Sequence, residues 1–292
     1  MLDTYTRSNM QPASTTGPQP APAGSAELEV QLVFGESTLV SARAASPMKL
    51  LTPNPRGASV WTYSSSFGGG LVAGDQTALA ITVGPGARCF FGTQASTKVY
   101  RNPGAAPCHH KTTASLGAGS LLVFAPDPVQ AYADSHYTQT QEFRLAAGSG
   151  LVLLDWFGSG RAARGERWAF QHFQSRNEVF IDGRRAFIDS LLLDPADGPV
   201  ASEHRGGRFN CHALLLLLGA PLAGAAAQLL QLMHQAPVQP GESPAASASA
   251  VPDGALLRVA GESVEQVGAL LRGHLGFLPG LLGDDPWSRK HF

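Results

Sequence analysis

The chain has 292 residues, enough for one large domain or two small ones, and only 15% are Asp, Glu, Lys or Arg, against roughly 25% in an average soluble domain. A formal net charge of −1 argues against a nucleic-acid binder, because no surplus of cations is present to displace counterions from phosphates. Three cysteines without CxxC spacing are too few for a disulfide framework and wrongly spaced for a zinc site, which points to a reducing, cytoplasmic compartment.

Residues 1–26 carry only Asp3 and Arg7 as charges and are dominated by Ser, Thr, Pro, Gly and Gln. They lack the apolar core of a signal peptide and the arginines of a mitochondrial presequence. Too little apolar surface is available to offset chain entropy, so the segment reads as a disordered tail. A β-rich body is expected over 27–234. Thr77, Leu79, Ile81 and Val83 alternate with Ala78, Ala80 and Thr82, the period of a strand. Gly84-Pro85-Gly86 then offers Pro and Gly where a type II turn needs them, and Ala87–Thr93 reads as the return strand. Leu121–Phe124 follows. Tyr137, Gln139, Gln141, Phe143 and Leu145 share one face of a further strand, with Thr138, Thr140, Glu142 and Arg144 on the other. Leu151–Phe157 and Trp168–Phe173 read as strands too. Asp182-Gly183 between Asn177–Ile181 and Arg184–Leu193 is a hairpin signal. Phe209–Leu218 and Leu256–Val259 complete the strands. No internal repeat of fixed period is visible.

Ala213–Ala227 is apolar but spans only 15 residues, broken by Gly219, Pro221 and Gly224; about 18 are expected for a membrane span, so a buried strand followed by a helix is the reading. Pro221 sits at the first turn of a helix over Leu222–His234. Ser263 with Gln266 makes a capping-box pattern, after which Val264, Val267, Leu271 and Leu275 recur at helical spacing. Between the helices, residues 235–252 hold four prolines, three serines and one charge and read as a linker or insertion. The remaining 253–292, roughly 40 residues, are too few to fold alone and should pack back on the body. The fold class is mainly β with two α-helices near the C-terminus, neither a parallel βαβ enzyme nor a bundle.

Phosphate binding finds no support. Gly68-Gly69-Gly70 lacks a following GK[ST], and both it and Gly158-Ser159-Gly160 lead into strand rather than helix. No G-x-S-x-G elbow, HExxH or carboxylate–histidine cluster is present. A hydrolase site assembled from distant residues and a plain β-rich binding module stay open as readings.

Several ordered blocks carry a likeness. They are Gly69-Gly70-Leu71-Val72-Ala73-Gly74-Asp75, then Gly84-Pro85-Gly86-Ala87, then Thr93-Gln94-Ala95-Ser96-Thr97-Lys98-Val99-Tyr100. Pro126-Asp127-Pro128, Gln141-Glu142-Phe143 and Asp155-Trp156 with Gly160-Arg161, Arg164-Gly165-Glu166 and Trp168 follow. In order and spacing the chain resembles the urease accessory protein UreD family, called UreH in some systems, from Ser46 to Leu193; the C-terminal third matches only in outline. Where the family usually has Gly-Gly-Asp, this chain has Ala73-Gly74-Asp75. The resemblance implies stacked, β-helical or sandwich-like sheets and a nickel-insertion chaperone with no catalytic residues of its own. It implies a UreF-like partner, a UreG-like GTPase recruited through it, and apo-urease as client, with no nucleic acid and no membrane. Nickel would be transient cargo with no tightly bound cofactor, and GTP hydrolysis would belong to the partner.

A conduit must release its ion. Nitrogen and sulfur cages hold Ni²⁺ tightly, whereas scattered oxygen and amide groups do not. Candidates for a nickel passage or a structural polar network are Asp75, Gln94, Lys98, Asp155 and Glu166. Asp75 is either a channel carboxylate or turn chemistry. Lys98 lies in an unusual polar run. Asp155 either pairs with Arg161 or Arg164, the preferred reading, or lines water. Glu166 is placed on a strand face with Trp168 and Phe170. Cys108-His109-His110 is the one metal-looking cluster, but adjacent side chains of an extended chain point to opposite faces, which favours surface polarity. The helices marked by Leu222, His234, Ser263 and Leu275 either cover the sheet or face the UreF-like partner.

Overall fold

The computed structural model describes residues 21–54, 57–102, 104 and 106–288. Most of the expected tail, 1–20, lies outside the described residues, while Ser25 and Ala26 already open the first strand. The strands in chain order are β1 (Ser25–Val33), β2 (Glu36–Ala44), β3 (Met48–Leu51), β4 (Val60–Ser66), β5 (Gly70–Leu71) and β6 (Gln76–Val83). They continue as β7 (Arg88–Thr93), β8 (Thr97–Val99), β9 (Cys108–Leu116), β10 (Leu121–Phe124), β11 (Val129–Ala131) and β12 (His136–Leu145). The last are β13 (Gly150–Gly158), β14 (His172–Ile181), β15 (Arg184–Leu193), β16 (Cys211–Leu218), β17 (Ala245–Val251) and β18 (Gly254–Gly261). Helices α1 (Ala223–Gln235), α2 (Val264–His274) and α3 (Leu278–Leu282) fall late.

The chain winds as a solenoid. β4, β7, β10 and β13 pair in parallel in one sheet, and β6, β9, β12 and β14 pair in parallel in the facing one. Each coil runs from the first sheet, through a short strand or loop, into the second, and returns by a tight turn. The short strands β5, β8 and β11 stack on one another as well. Turns Gly84–Ala87, Gly117–Ser120 and Ala146–Ser149 close three successive coils. Each carries a glycine in the left-handed region, Gly86 (φ 69°), Gly119 (φ 66°) and Gly148 (φ 71°), where a Cβ would be strained. The Gly86 N–H donates to Ala118 O at 2.9 Å, so stacking satisfies the backbone groups of the turns. The coils differ in length at their short-strand side, which is why no fixed period shows in the sequence.

This winding corrects the return-strand reading of Ala87–Thr93. β7 does not pair with β6 but crosses to the other sheet. The hairpin at Asp182-Gly183 forms as expected, with both residues at positive φ (47° and 77°) and β14 antiparallel to β15. Trp168–Phe173 is strand only from His172. Trp168 adopts φ 52° and buries its ring against Phe157, Phe170 and His212, so its alternating aromatics imitate a strand while the backbone turns.

The seven-stranded sheet runs β15-β14-β12-β9-β6-β1-β2, and the eleven-stranded one runs β17-β18-β16-β13-β10-β7-β4-β3 with β5, β8 and β11 beside it. Their facing sides bury Leu79, Ile81, Phe143, Leu151, Leu153 and Leu216 near the tight turns. A second apolar cluster, with Val99, Tyr137, Phe157, Trp168 and Phe173, fills the other end of the same space. The outer face of the larger sheet is covered by the helices through Leu229, Val267, Leu271 and Leu278. Leu222 and Leu275 are each 1% exposed, so they mark the sheet-covering faces rather than a partner-facing side; His234 is exposed. Ser263 Oγ accepts the Gln266 N–H at 3.2 Å, half of a capping box, because the Gln266 side chain is engaged by Ser243 instead. The segment expected as a linker holds an edge strand, β17, paired antiparallel with β18.

Candidate functional site: a polar seam between the sheets

Side chains at paired positions of parallel strands stand side by side on one face. The register aligns Thr77, His110, Gln139 and Ser175 in one row across β6, β9, β12 and β14. The adjacent inward row is Leu79, Thr112, Gln141, Asn177 and Asp189. Apart from Leu79, which belongs to the first apolar cluster, both rows lie between the two clusters, so a polar seam crosses the interior perpendicular to the strands.

Asp155 meets this seam from β13 of the opposite sheet. It is 9% exposed. Its Oδ1 accepts from Gln139 Nε2 at 2.7 Å, and its Oδ2 accepts from Ser175 Oγ at 2.6 Å and Asn177 Nδ2 at 2.8 Å. Burial pushes its carboxyl above the usual range, and the three hydrogen bonds only partly oppose that. Gln139 also donates to Ser175 Oγ and accepts from Tyr137 OH, and Gln141 donates to Asn177 Oδ1 at 2.8 Å. The expected ion pair with Arg161 or Arg164 is absent among the described residues. Strand alternation aims Asp155 inward beside Leu153, whereas Arg161 lies past the end of β13 and pairs with Glu166.

His110 faces the same interior. Its Nδ1 lies 2.8 Å from Thr77 Oγ1 and its Nε2 3.2 Å from Thr112 Oγ1. Burial lowers its pKa to about 4, so the imidazole is neutral at pH 7. Cys108 is inward on the same strand, with its thiol pushed up by burial and donating to Val72 O. His109 points to the outer face between them, as alternation requires. Of the three side chains, His109 alone lies on the outer side of the sheet. Among the described residues no group of three or more His, Cys, Asp or Glu is arranged to hold a metal ion.

The other candidates are dispersed. Asp75 accepts the Val72 N–H at 2.8 Å across its own turn, the turn chemistry open to it from sequence. Glu166 sits in a loop, not on a strand face; its Oε1 accepts the Ala133 N–H at 2.7 Å and its Oε2 is gripped by Arg161. Burial would raise its carboxyl, but those bonds hold it below the ordinary range. Lys98 lies on β8 and lines neither interior cavity. Gln94 is exposed just past the end of β7.

Two cavities meet at Asp155. The first, about 220 Å³, is lined by Thr77, His110, Gln139, Gln141 and Asp155 and reaches Ser64 and Thr93. The second, about 700 Å³, is lined by Asp155, Ser175, Asp189, His212 and Arg258. Outside the first lies an aromatic groove of about 1220 Å³ between Tyr63, Trp156, Leu271 and Trp287, which shares Gln94, Ser96 and Asp127 with it. Gln139, Gln141, Ser175 and Asn177 are not among the site candidates that the sequence offers, although both glutamines stand on an expected strand face. The available signal was two glutamines between Tyr137 and Phe143 on an otherwise apolar strand face.

A wound stack of coils with a polar seam through its interior defines a β-solenoid-like protein. The model described as "UreD urease accessory protein" matches residues 23–289, and the chain belongs to that family. It is 47% identical over 268 residues to the urease accessory protein UreD of Sorangium cellulosum, covering 92% of this chain and 84% of that one. It is 42% identical to the protein of that name from Anaeromyxobacter, over 95% of this chain and 94% of that one. The urease accessory protein D of Arabidopsis thaliana is 34% identical, with 89% and 98% covered. No described helix is long and apolar enough to cross a membrane.

Proposed function

We propose that this chain acts in urease maturation as the scaffold through which Ni²⁺ reaches the unfinished enzyme. The family supports the maturation role. The single observation that supports passage is Asp155, a carboxylate shared by two cavities at the polar seam. Ni²⁺ is cargo in this reading, not a resident cofactor. The seam offers carboxylate, amide and hydroxyl oxygens with one neutral imidazole, a donor set that holds a first-row divalent ion less tightly than a thiolate or multi-histidine cage. The ion would enter by the mouth near Gln94 and Ser96, pass His110 and Gln139, and leave by the second cavity. A UreF-like protein seated on the aromatic groove would bring its own cargo to that mouth, and a UreG-like GTPase would act through it. The outlet would face apo-urease.

The test is co-expression of urease and its accessory proteins with Asp155→Leu or Gln141→Leu, followed by nickel analysis of purified urease. Urease protein at normal level with depleted nickel is expected. Fully metallated urease from folded variants would remove the passage from the mechanism.

A further inference from the structure

Asp189 stands on the inner face of β15, paired across the strands with Asn177, whose amide holds Asp155. Its carboxylate accepts from Arg258 Nη2 at 2.5 Å. β15 is the edge of the seven-stranded sheet, and Arg258 belongs to β18 in the other sheet. The ion pair therefore straps the two sheets together at the wall of the second cavity, which both residues line. Its two ends differ. The Asp189 side chain is 14% exposed and that of Arg258 is 59%, so the acid is fixed by its short stem while the guanidinium has solvent to swing into.

The geometry points to a cation-exchange outlet: Asp189 is the last oxygen ligand on the route, and Arg258 is the counter-cation that occupies it until a divalent cation arrives. This rests on the cavities being a route for such an ion. An ion leaving the Asp155 end of the second cavity meets Asp189 and displaces the guanidinium; when the ion departs, Arg258 returns. The carboxylate is paired before and after, so no uncompensated charge stays in a mostly buried position. Arginine suits the role because it does not lose its proton, so only displacement frees the acid.

Equilibrium dialysis of the full-length chain against NiCl₂ separates exchange from a merely structural strap. Arg258→Gln removes the competitor and is expected to tighten Ni²⁺ binding about fivefold, the worth of a partly exposed ion pair. Asp189→Asn is expected to weaken it, and the double variant should match Asp189→Asn alone. Arg258→Lys, should Arg258→Gln not fold, is expected to tighten binding to a smaller degree. A structural strap predicts no tightening on either Arg258 variant, and unchanged or weaker binding in a folded Arg258 variant overturns the proposal. The opposite-signed affinity changes, together with normal nickel loading of urease by Asp155→Leu, would support the exchange pair and overturn only the route through Asp155.

Discussion

Gln139 and Asp155 lie on consecutive strands yet in opposite sheets, and the amide of one donates to the carboxylate of the other at 2.7 Å. The tight turn Ala146–Ser149 makes this contact, because it sends the chain across the interior instead of back along the same sheet. A polar pair buried so deeply must be satisfied on every atom or it costs stability, and Ser175 and Asn177 complete it from a third strand.

Removing Asp155 should therefore be felt in stability as well as in function. Asp155→Leu strands donors from Gln139, Ser175 and Asn177 and is expected to cost about 2 kcal/mol in urea unfolding, with Asp155→Asn about half of that. Equal stability of the Leu variant and the parent would mean that the donors find other acceptors.

The Asp155 carboxyl has its pKa raised by burial, so the folded state holds its proton more firmly than the unfolded chain. Its contribution is fully present below the unfolded value of about 3.9 and is lost as pH rises through the folded value. The stability difference between parent and Asp155→Asn should shift against the parent as pH rises through that window. Parallel pH profiles would contradict it.

His110 works with the opposite slope. Its pKa falls to about 4 through burial, so as pH drops below the ordinary imidazole range the unfolded chain takes up a proton first. The parent should lose roughly 2 kcal/mol relative to His110→Gln between about pH 6.5 and pH 4; the full shift would give more, but the ring borders a cavity. Thermal melts at stepped pH are the measurement.

At the start of α2, Ser263→Ala removes the acceptor for the Gln266 N–H. A loss of about 1 kcal/mol is expected, with nickel loading of urease unaltered, because the Ser263 hydroxyl lines neither interior cavity. A melt indistinguishable from the parent's would assign the cap no role.

Gly219 follows β16 at φ 99°, and a Cβ built there would lie 2.0 Å from Ser149 O. Both the conformation and the backbone contact oppose a side chain. Gly219→Ala is expected to cost about 3 kcal/mol, enough to lower soluble yield, whereas Gly224→Ala in α1, with open space around it, should be neutral or stabilising.

Alternation and turn chemistry determined much from the sequence alone: the strands over Thr77–Val83 and Tyr137–Leu145, the hairpin at Asp182-Gly183 and the two longer helices, while ordered blocks of residues carried the family likeness. Those signals are local, because a strand's period and a turn's glycine are set by neighbouring backbone. Which sheet each strand joins is not local. β6 and β7 are four residues apart and part company, while Thr77, His110, Gln139 and Ser175, far apart in sequence, form one row through parallel register. Asp155 looked like half of an ion pair because Arg161 and Arg164 were its nearest cations along the chain. Only the winding of the coils decided that it faces amides and a hydroxyl, since pairing between coils, and not proximity in sequence, sets what a buried side chain meets.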